Sequence, residues 1–196
     1  MFKRLLSLLI CSLSLFFFTA VQAADLDLDA DGLSDILEAK FQTKIDDPDS
    51  DADGYSDGLE VKNYYDPLRG QGAKLKKRIE VDTKTQKLKY FLGSVDMGEY
   101  VVSTGKKSTP TPKGTFVVKN KLPRPKSQSY GVYMPYWLGL SAQGVGIHEL
   151  PEWGRGQKEG ADSLGKPASH GCIRLGVGPA QLIYNWAEVG TEVKIF

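Results

Sequence analysis

Apolar and polar positions alternate through most of the second half of the chain. Arg78-Ile79-Glu80-Val81-Asp82 and Lys87-Leu88-Lys89-Tyr90-Phe91-Leu92 follow the period of two expected of half-buried strands. The polar stretch Thr83–Gln86 between them predicts a hairpin turn. Further strands are expected over residues 99–103, 115–121, 130–138, 145–148, 172–175 and 192–196. One helix interrupts them, from Pro179 to Ala187, with Leu182, Ile183 and Trp186 on its apolar face. Pro179 suits its first turn and Gly190 its stop. The pattern predicts a mainly β domain over residues 77–196, large enough for one core.

The first half has a different rhythm. Lys3 and Arg4 precede an apolar run from Leu5 to Phe18, followed by Val21-Gln22-Ala23. That layout is a secretory signal over residues 1–23, leaving no stable transmembrane segment after cleavage. The expected location is therefore the periplasm or cell envelope. Residues 24–68 form a small acidic module with two short helices, over 34–41 and 56–64, and residues 69–76 read as a linker.

Charge sharpens this division. Residues 24–68 hold 14 Asp and Glu against three Lys and Arg, whereas residues 69–196 hold ten against 20. The lysines of the basic part are scattered along strands without a nucleic-acid motif, which excludes a nucleic-acid partner. An anionic wall polymer fits better. Opposite charges also predict that the calcium-free acidic module docks on the groove of the basic domain.

The acidic module carries a repeat. Asp27, Asp29, Asp31, Asp35 and Glu38 occupy positions one, three, five, nine and twelve of a calcium-loop pattern, with Gly32 at the sixth. Asp49, Asp51, Asp53, Asp57 and Glu60 repeat it around Gly54. Alternate side chains of a tight loop converge their oxygens, and calcium requires many oxygens. Only Ala24 to Leu26 precede the first loop after cleavage, so no entering helix forms. The segment, with its breaks at Asp47-Pro48 and Asp66-Pro67, resembles the bacterial thrombospondin-type-3-like calcium repeat. The module has too few apolar residues for metal-free stability, so structural calcium is the expected cofactor.

Behind the signal segment the chain keeps one cysteine, Cys172, and its two histidines are His148 and His170. A lone thiol closes no internal disulfide, and beside imidazoles it reads as a nucleophile. His148 ends an apolar strand and is expected to be the base. His170, in an extended segment, is expected to face away. Gly171 leaves the approach to Cys172 open, so the amides of Gly171 and Cys172 are expected to face an oxyanion.

Ser169-His170-Gly171-Cys172-Ile173-Arg174-Leu175, preceded by Gly146-Ile147-His148, resembles the signature of the L,D-transpeptidase (YkuD) catalytic domain. The likeness extends to Val102-Ser103-Thr104-Gly105, to Thr109–Phe116 and to Met134-Pro135-Tyr136-Trp137. It implies a β-sandwich-like barrel, with Cys172 as nucleophile and His148 as proton acceptor and donor. Ser169, His170, Gly171 and Arg174 would shape the site; for Arg174 two roles stand open, fixing a substrate carboxylate or bracing the loop, with bracing the favoured one. The implied substrate is a peptidoglycan tetrapeptide stem, and the acceptor an amine, a wall-attached protein or water. Water would make the enzyme an L,D-carboxypeptidase or amidase. A calcium-dependent wall-binding protein is the reading from another class. The stretch between His148 and Ser169 is longer than the family usually shows. It predicts either a lid, with Trp153 as a substrate contact, or a passive surface loop.

Overall fold

The computed structural model describes residues 26–70 and 72–196, so the signal segment 1–23 and its cleavage site lie outside the described residues. The hairpin forms where the alternation predicts it. β1 (Lys77–Asp82) pairs antiparallel with β2 (Lys87–Leu92), and Ile79, Val81, Leu88 and Tyr90 turn into the core. β3 (Val95–Ser103), β4 (Gly114–Val117), β5 (Asn120–Leu122), β6 (Trp137–Gly139), β7 (Gly146–Glu149), β8 (Ile173–Leu175) and β9 (Glu192–Ile195) follow. They form one curled nine-stranded sheet in the order β4-β9-β1-β2-β3-β8-β7-β6-β5. Two neighbouring pairs are parallel, β1 with β9 and β7 with β8.

One helix, α3 (Pro179–Trp186), closes the sheet. Ile183 is fully buried under it and Trp186 meets Tyr90 edge-on at 5.1 Å, but Leu182 stays exposed, so the buried stripe is carried by Ala180 and Ile183 instead. Two expected strands differ. The 115–121 stretch divides because consecutive amides serve different strands: Val118 N–H donates to Thr191 and Lys119 N–H to Gly139. The 130–138 stretch shortens to β6, since Pro135 offers no N–H and Tyr136 sits at φ 57°.

The acidic module contributes α1 (Asp35–Phe41) and α2 (Asp57–Lys62). Leu33, Phe41 and Val61 are too few to close a core alone, and they share one with Leu92 of β2. A bulge in the β2–β3 pairing opposes Tyr90 to Gly98 and Phe91 to Asp96, leaving Met97 as the extra residue. Met97 packs against both the main core and this second one. Residues 72–76 fold back on the module: Lys74 bridges Tyr65, and Leu75 N–H donates to Tyr64. The Lys77 ammonium then lies 3.2 Å from the centre of the Tyr64 ring and bonds Glu188 at 2.6 Å. The module therefore sits on the β2–β3 hairpin, not on the groove that the charge asymmetry predicts; apolar burial decides the contact, since exposed charges at a distance are screened.

Candidate active site

The parallel register of β7 and β8 sets the site. Ile147 lies opposite Ile173 and His148 opposite Arg174, so Cys172, two residues before Arg174, shares the His148 side of the pair. The alternate residues Ile147, Ile173 and Leu175 face the core and are at most 1% exposed. His148 is buried, and its Nδ1 lies 2.5 Å from the Glu149 carbonyl. A carbonyl only accepts, so Nδ1 carries the hydrogen and Nε2 is left as the base. The Trp137 indole stacks 5.8 Å from the imidazole and is itself tied to Asn120 at 3.0 Å. Burial pushes the His148 pKa down to about 4, against the pull of the Glu149 carbonyl. Burial also pushes the Cys172 thiol up, partly offset by the Gly146 N–H and by Arg174.

The nucleophile stands at the end of a tight turn. Gly171 has φ 117°, a conformation that side chains rarely adopt. Ser169 Oγ donates to the Cys172 carbonyl at 2.6 Å and accepts the Gly171 N–H at 3.0 Å. Ser169 thus locks the turn. The Gly171 amide is engaged by that bond, so of the two amides expected at an oxyanion only that of Cys172 is left. The Val102–Gly105 motif and the Thr109–Thr111 start of the next one form the wall behind it. Ser169 N–H donates to Thr104, Lys106 N–H returns to Ser169, and Gly105 N–H meets Thr111 Oγ1. Gly105 has no room for a Cβ, which would strike the Thr109 carbonyl and Thr111 amide.

Cys172 and His148 open on a groove of about 630 Å³ that also takes in His170, Arg174, Trp137 and Trp153. His170 therefore faces the groove rather than away: Gly171 reverses the local direction, the ring stacks on Tyr130 at 4.7 Å, and Lys106 donates to its Nε2 at 3.1 Å. Two flaps roof the groove. One bridges Lys126 to Tyr133, the other Glu152 to Lys158, and the Tyr133–Glu152 bridge joins them. Three ion pairs pin the second flap: Arg124–Glu152 at 2.5 Å, Lys158 to the buried Glu149, and Arg174–Glu159 at 2.9 Å. The Arg174–Glu159 pair is the kind of contact a brace would make. Tyr130, Gln143, Gly144 and Glu159 line the groove without having been singled out in the sequence. The Cys172 thiol donates to the Gly144 carbonyl at 3.5 Å. The turn-forming Ser141-Ala142-Gln143-Gly144 was the available signal for that contact.

The two acidic loops have the same geometry. Carboxylate oxygens of Asp27, Asp29 and Asp31 lie within 4.8 Å of one another, as do those of Asp49, Asp51 and Asp53. Ala30 and Ala52 both have φ 60°, and Gly32 and Gly54 both have φ 97°. Asp35 and Asp57 turn from these clusters to accept the Leu28 and Ser50 amides at 3.0 Å, bracing each loop. Glu38 is wholly buried with both oxygens unpartnered, and Glu60 is 5% exposed with Oε2 unpartnered. Burial, then the neighbouring aspartates, pushes each up to about 7.

A model of the L,D-transpeptidase catalytic domain family, YkuD, matches residues 76–195. The Bacillus licheniformis protein that carries the name L,D-transpeptidase YkuD is 35% identical over 118 residues, 60% of this chain and 64% of that protein. Bacillus subtilis YciB, also named an L,D-transpeptidase, is 32% identical over 126 residues with the same coverage, 60% and 64%. The chain thus spans less than two thirds of either relative. Among solved structures, the L,D-transpeptidase of Stackebrandtia nassauensis is 25% identical with a TM-score of 0.52, covering 71% of this chain and 65% of that one. An L,D-transpeptidase from Mycobacterium smegmatis, 22% identical, shares the fold with a TM-score of 0.56 over 64% of this chain and 60% of its own. No helix of the described residues is long and apolar enough to cross a membrane.

Proposed function

Since the chain belongs to the L,D-transpeptidase (YkuD) catalytic domain family, we propose that it is an exported peptidoglycan acyltransferase of the cell envelope working through a Cys172 thioester. The observation that carries this reading is the placement of Cys172 and His148 on one side of β7–β8, within the matched segment. As the Cys172 sulfur attacks the carbonyl of the third stem residue, its proton passes to His148 Nε2. The Glu149 carbonyl holds the imidazolium that forms. The oxyanion meets the Cys172 N–H, and collapse expels the terminal D-alanine with the proton from His148. An incoming amine then reverses the sequence. Incubation with a tetrapeptide stem is expected to add the acyl mass to Cys172, with no adduct on Cys172→Ala. Absence of the adduct in the wild type overturns the reading. Trimmed stems without cross-links in the presence of amine favour the hydrolytic alternative.

The acidic loops support a second part of the reading, structural calcium. Positions one, three and five of each loop would hold the ion, with Glu38 or Glu60 completing the set. A buried, unpartnered glutamate is costly unless a cation or a proton neutralises it. Calcium held there would supply that neutralisation as a structural ion. Equilibrium dialysis is expected to give two ions per chain, and one each in Glu38→Gln and Glu60→Gln. No bound calcium at millimolar concentration overturns it.

A further inference from the structure

The second acidic loop opens on a cavity of about 600 Å³. Asp53 and Glu60, its fifth and twelfth positions, line that cavity together with Tyr55, Leu59, Asn63 and Tyr65. Asp53 is exposed, whereas Asp27, Asp29 and Asp31 of the first loop are all half-buried. Glu60 is buried with Oε2 unpartnered, yet it forms part of the cavity wall. An ion held by Asp53 and Glu60 therefore stands at that wall. Calcium takes about six to eight oxygens, neutral ones included. Asp57, at the ninth position, is turned to Ser50 by bonds of 3.0 and 2.5 Å, so the shell keeps room for an oxygen from outside. The rest of the wall is aromatic and neutral. Tyr55 is 60% exposed, and the Lys74 ammonium lies 5.4 Å from the centre of the Tyr65 ring. Asn63 Nδ2 donates to the Leu59 carbonyl at 2.8 Å, which fixes the amide and leaves Oδ1 as an acceptor. Such a wall suits a ligand with an apolar face and a wet rim. A pyranose ring is one, with C–H bonds on its face and hydroxyls at its edge. Charge argues against an anion: Asp49, Asp51, Asp53 and Glu60 outnumber the two charges of one calcium ion, so the loaded site still repels it.

We propose that this cavity is a calcium-dependent glycan site. It takes a neutral sugar chain of the wall, with a sugar ring on Tyr55 and a sugar oxygen in the shell of the second-loop ion. The site rests on the structural-calcium reading above and gives that ion a further ligand. The cavity and the catalytic groove share no lining residue, so holding the glycan and transferring the acyl group are separable. Tyr55 offers the sugar its side chain alone. Its backbone N–H donates to Asp53 at 3.0 Å, a bond that a change of side chain leaves in place.

Wall glycan stripped of its stem peptides by an amidase makes the test, since it offers the catalytic groove no stem. The full chain is sedimented with it at millimolar calcium and with excess chelator, and bound calcium is counted by equilibrium dialysis in parallel. The wild type is expected to be retained with calcium and released by chelator. Tyr55→Ala is expected to weaken retention about tenfold, the scale of one aromatic contact, with two ions still bound. Tyr55→Phe, which keeps the ring, is expected to hold like the wild type. Because chelation also unfolds the module, Tyr55→Ala at unchanged calcium content is the deciding arm. No retention of a chain that binds two ions overturns the glycan site and leaves the calcium reading standing. Retention that ignores chelator, or that is equal in Tyr55→Ala, overturns the site too. A chain that binds no calcium overturns the calcium reading and the site with it.

Discussion

Cys172 and His148 rest as a neutral pair. Burial raises the thiol and lowers the imidazole to about 4, so the proton moves only as a carbonyl arrives. This differs from thiol sites in which a preformed thiolate–imidazolium pair is reactive well below neutrality. The rate of Cys172 alkylation by iodoacetamide is expected to keep climbing with pH beyond 9.0, the ordinary thiol value, with no plateau near 6.5. A plateau there would contradict the neutral pair. The same burial has a stability consequence. The unfolded imidazole takes up its proton near pH 6.5 and the folded one near 4, so the unfolded state binds more protons between them. The His148 contribution to stability is thus full above pH 6.5 and is lost as pH falls through about 4, by about 3 kcal/mol. Urea unfolding at stepped pH is expected to show this loss, and a shallower acid slope in His148→Gln.

At the scale of elements, the flap over the groove is held by charge in a place where charge is costly. Glu149 is 1% exposed on β7, next to the base, and Lys158 reaches it from the flap. Removing Lys158 strands a buried carboxylate. Lys158→Met is expected to lose about 3 kcal/mol, and the double variant with Glu149→Gln to recover most of it. Thermal denaturation of the three variants measures the cycle. Equal losses in the single and double variants would contradict the pairing. The strand pattern made β1, β2, β7 and β8 legible because local alternation decides their faces. The nucleophile turn was legible because a lone cysteine, two histidines and a glycine are rare in so short a span. The partners of the flap were not, since Arg124, Glu149 and Lys158 meet only through tertiary contacts. Nor was the inward turn of His170, which depends on the φ of Gly171. Arg174 was legible as a brace, but not its buried Nε, which only packing reveals.

The whole molecule joins two unequal parts through a small apolar contact, the Lys77–Tyr64 cation–π contact and a Lys40 hydrogen bond to the Asp96 carbonyl. Asp31 ties the loops together as well: its carboxylate accepts the Gly58 N–H of α2 at 2.6 Å. Gly58 has no space for a Cβ against the Asp31 backbone. A calcium ion in the first loop is therefore expected to bear on α2, which follows the second. Because Leu33, Phe41 and Val61 bury Leu92, calcium is expected to raise the melting temperature of the whole chain as one transition. Calorimetry with calcium and with excess chelator measures it. A catalytic transition indifferent to chelator would contradict the coupling. None of the described residues 26–70 lines the catalytic groove, so a calcium effect on turnover would have to act from outside it.

Met97 gives that contact a practical meaning. As the bulged residue it belongs to both cores, with Leu92 and Val95 beside it. A fragment cut at residue 76 keeps every residue of the acyl-transfer machinery and uncovers a greasy knob on its back. Such a fragment would be prone to self-association at the concentrations used for crystallisation or inhibitor screening. The polar replacements that cure it belong at Leu92 and Val95, while Met97, which also fills the main core, is the one to leave alone.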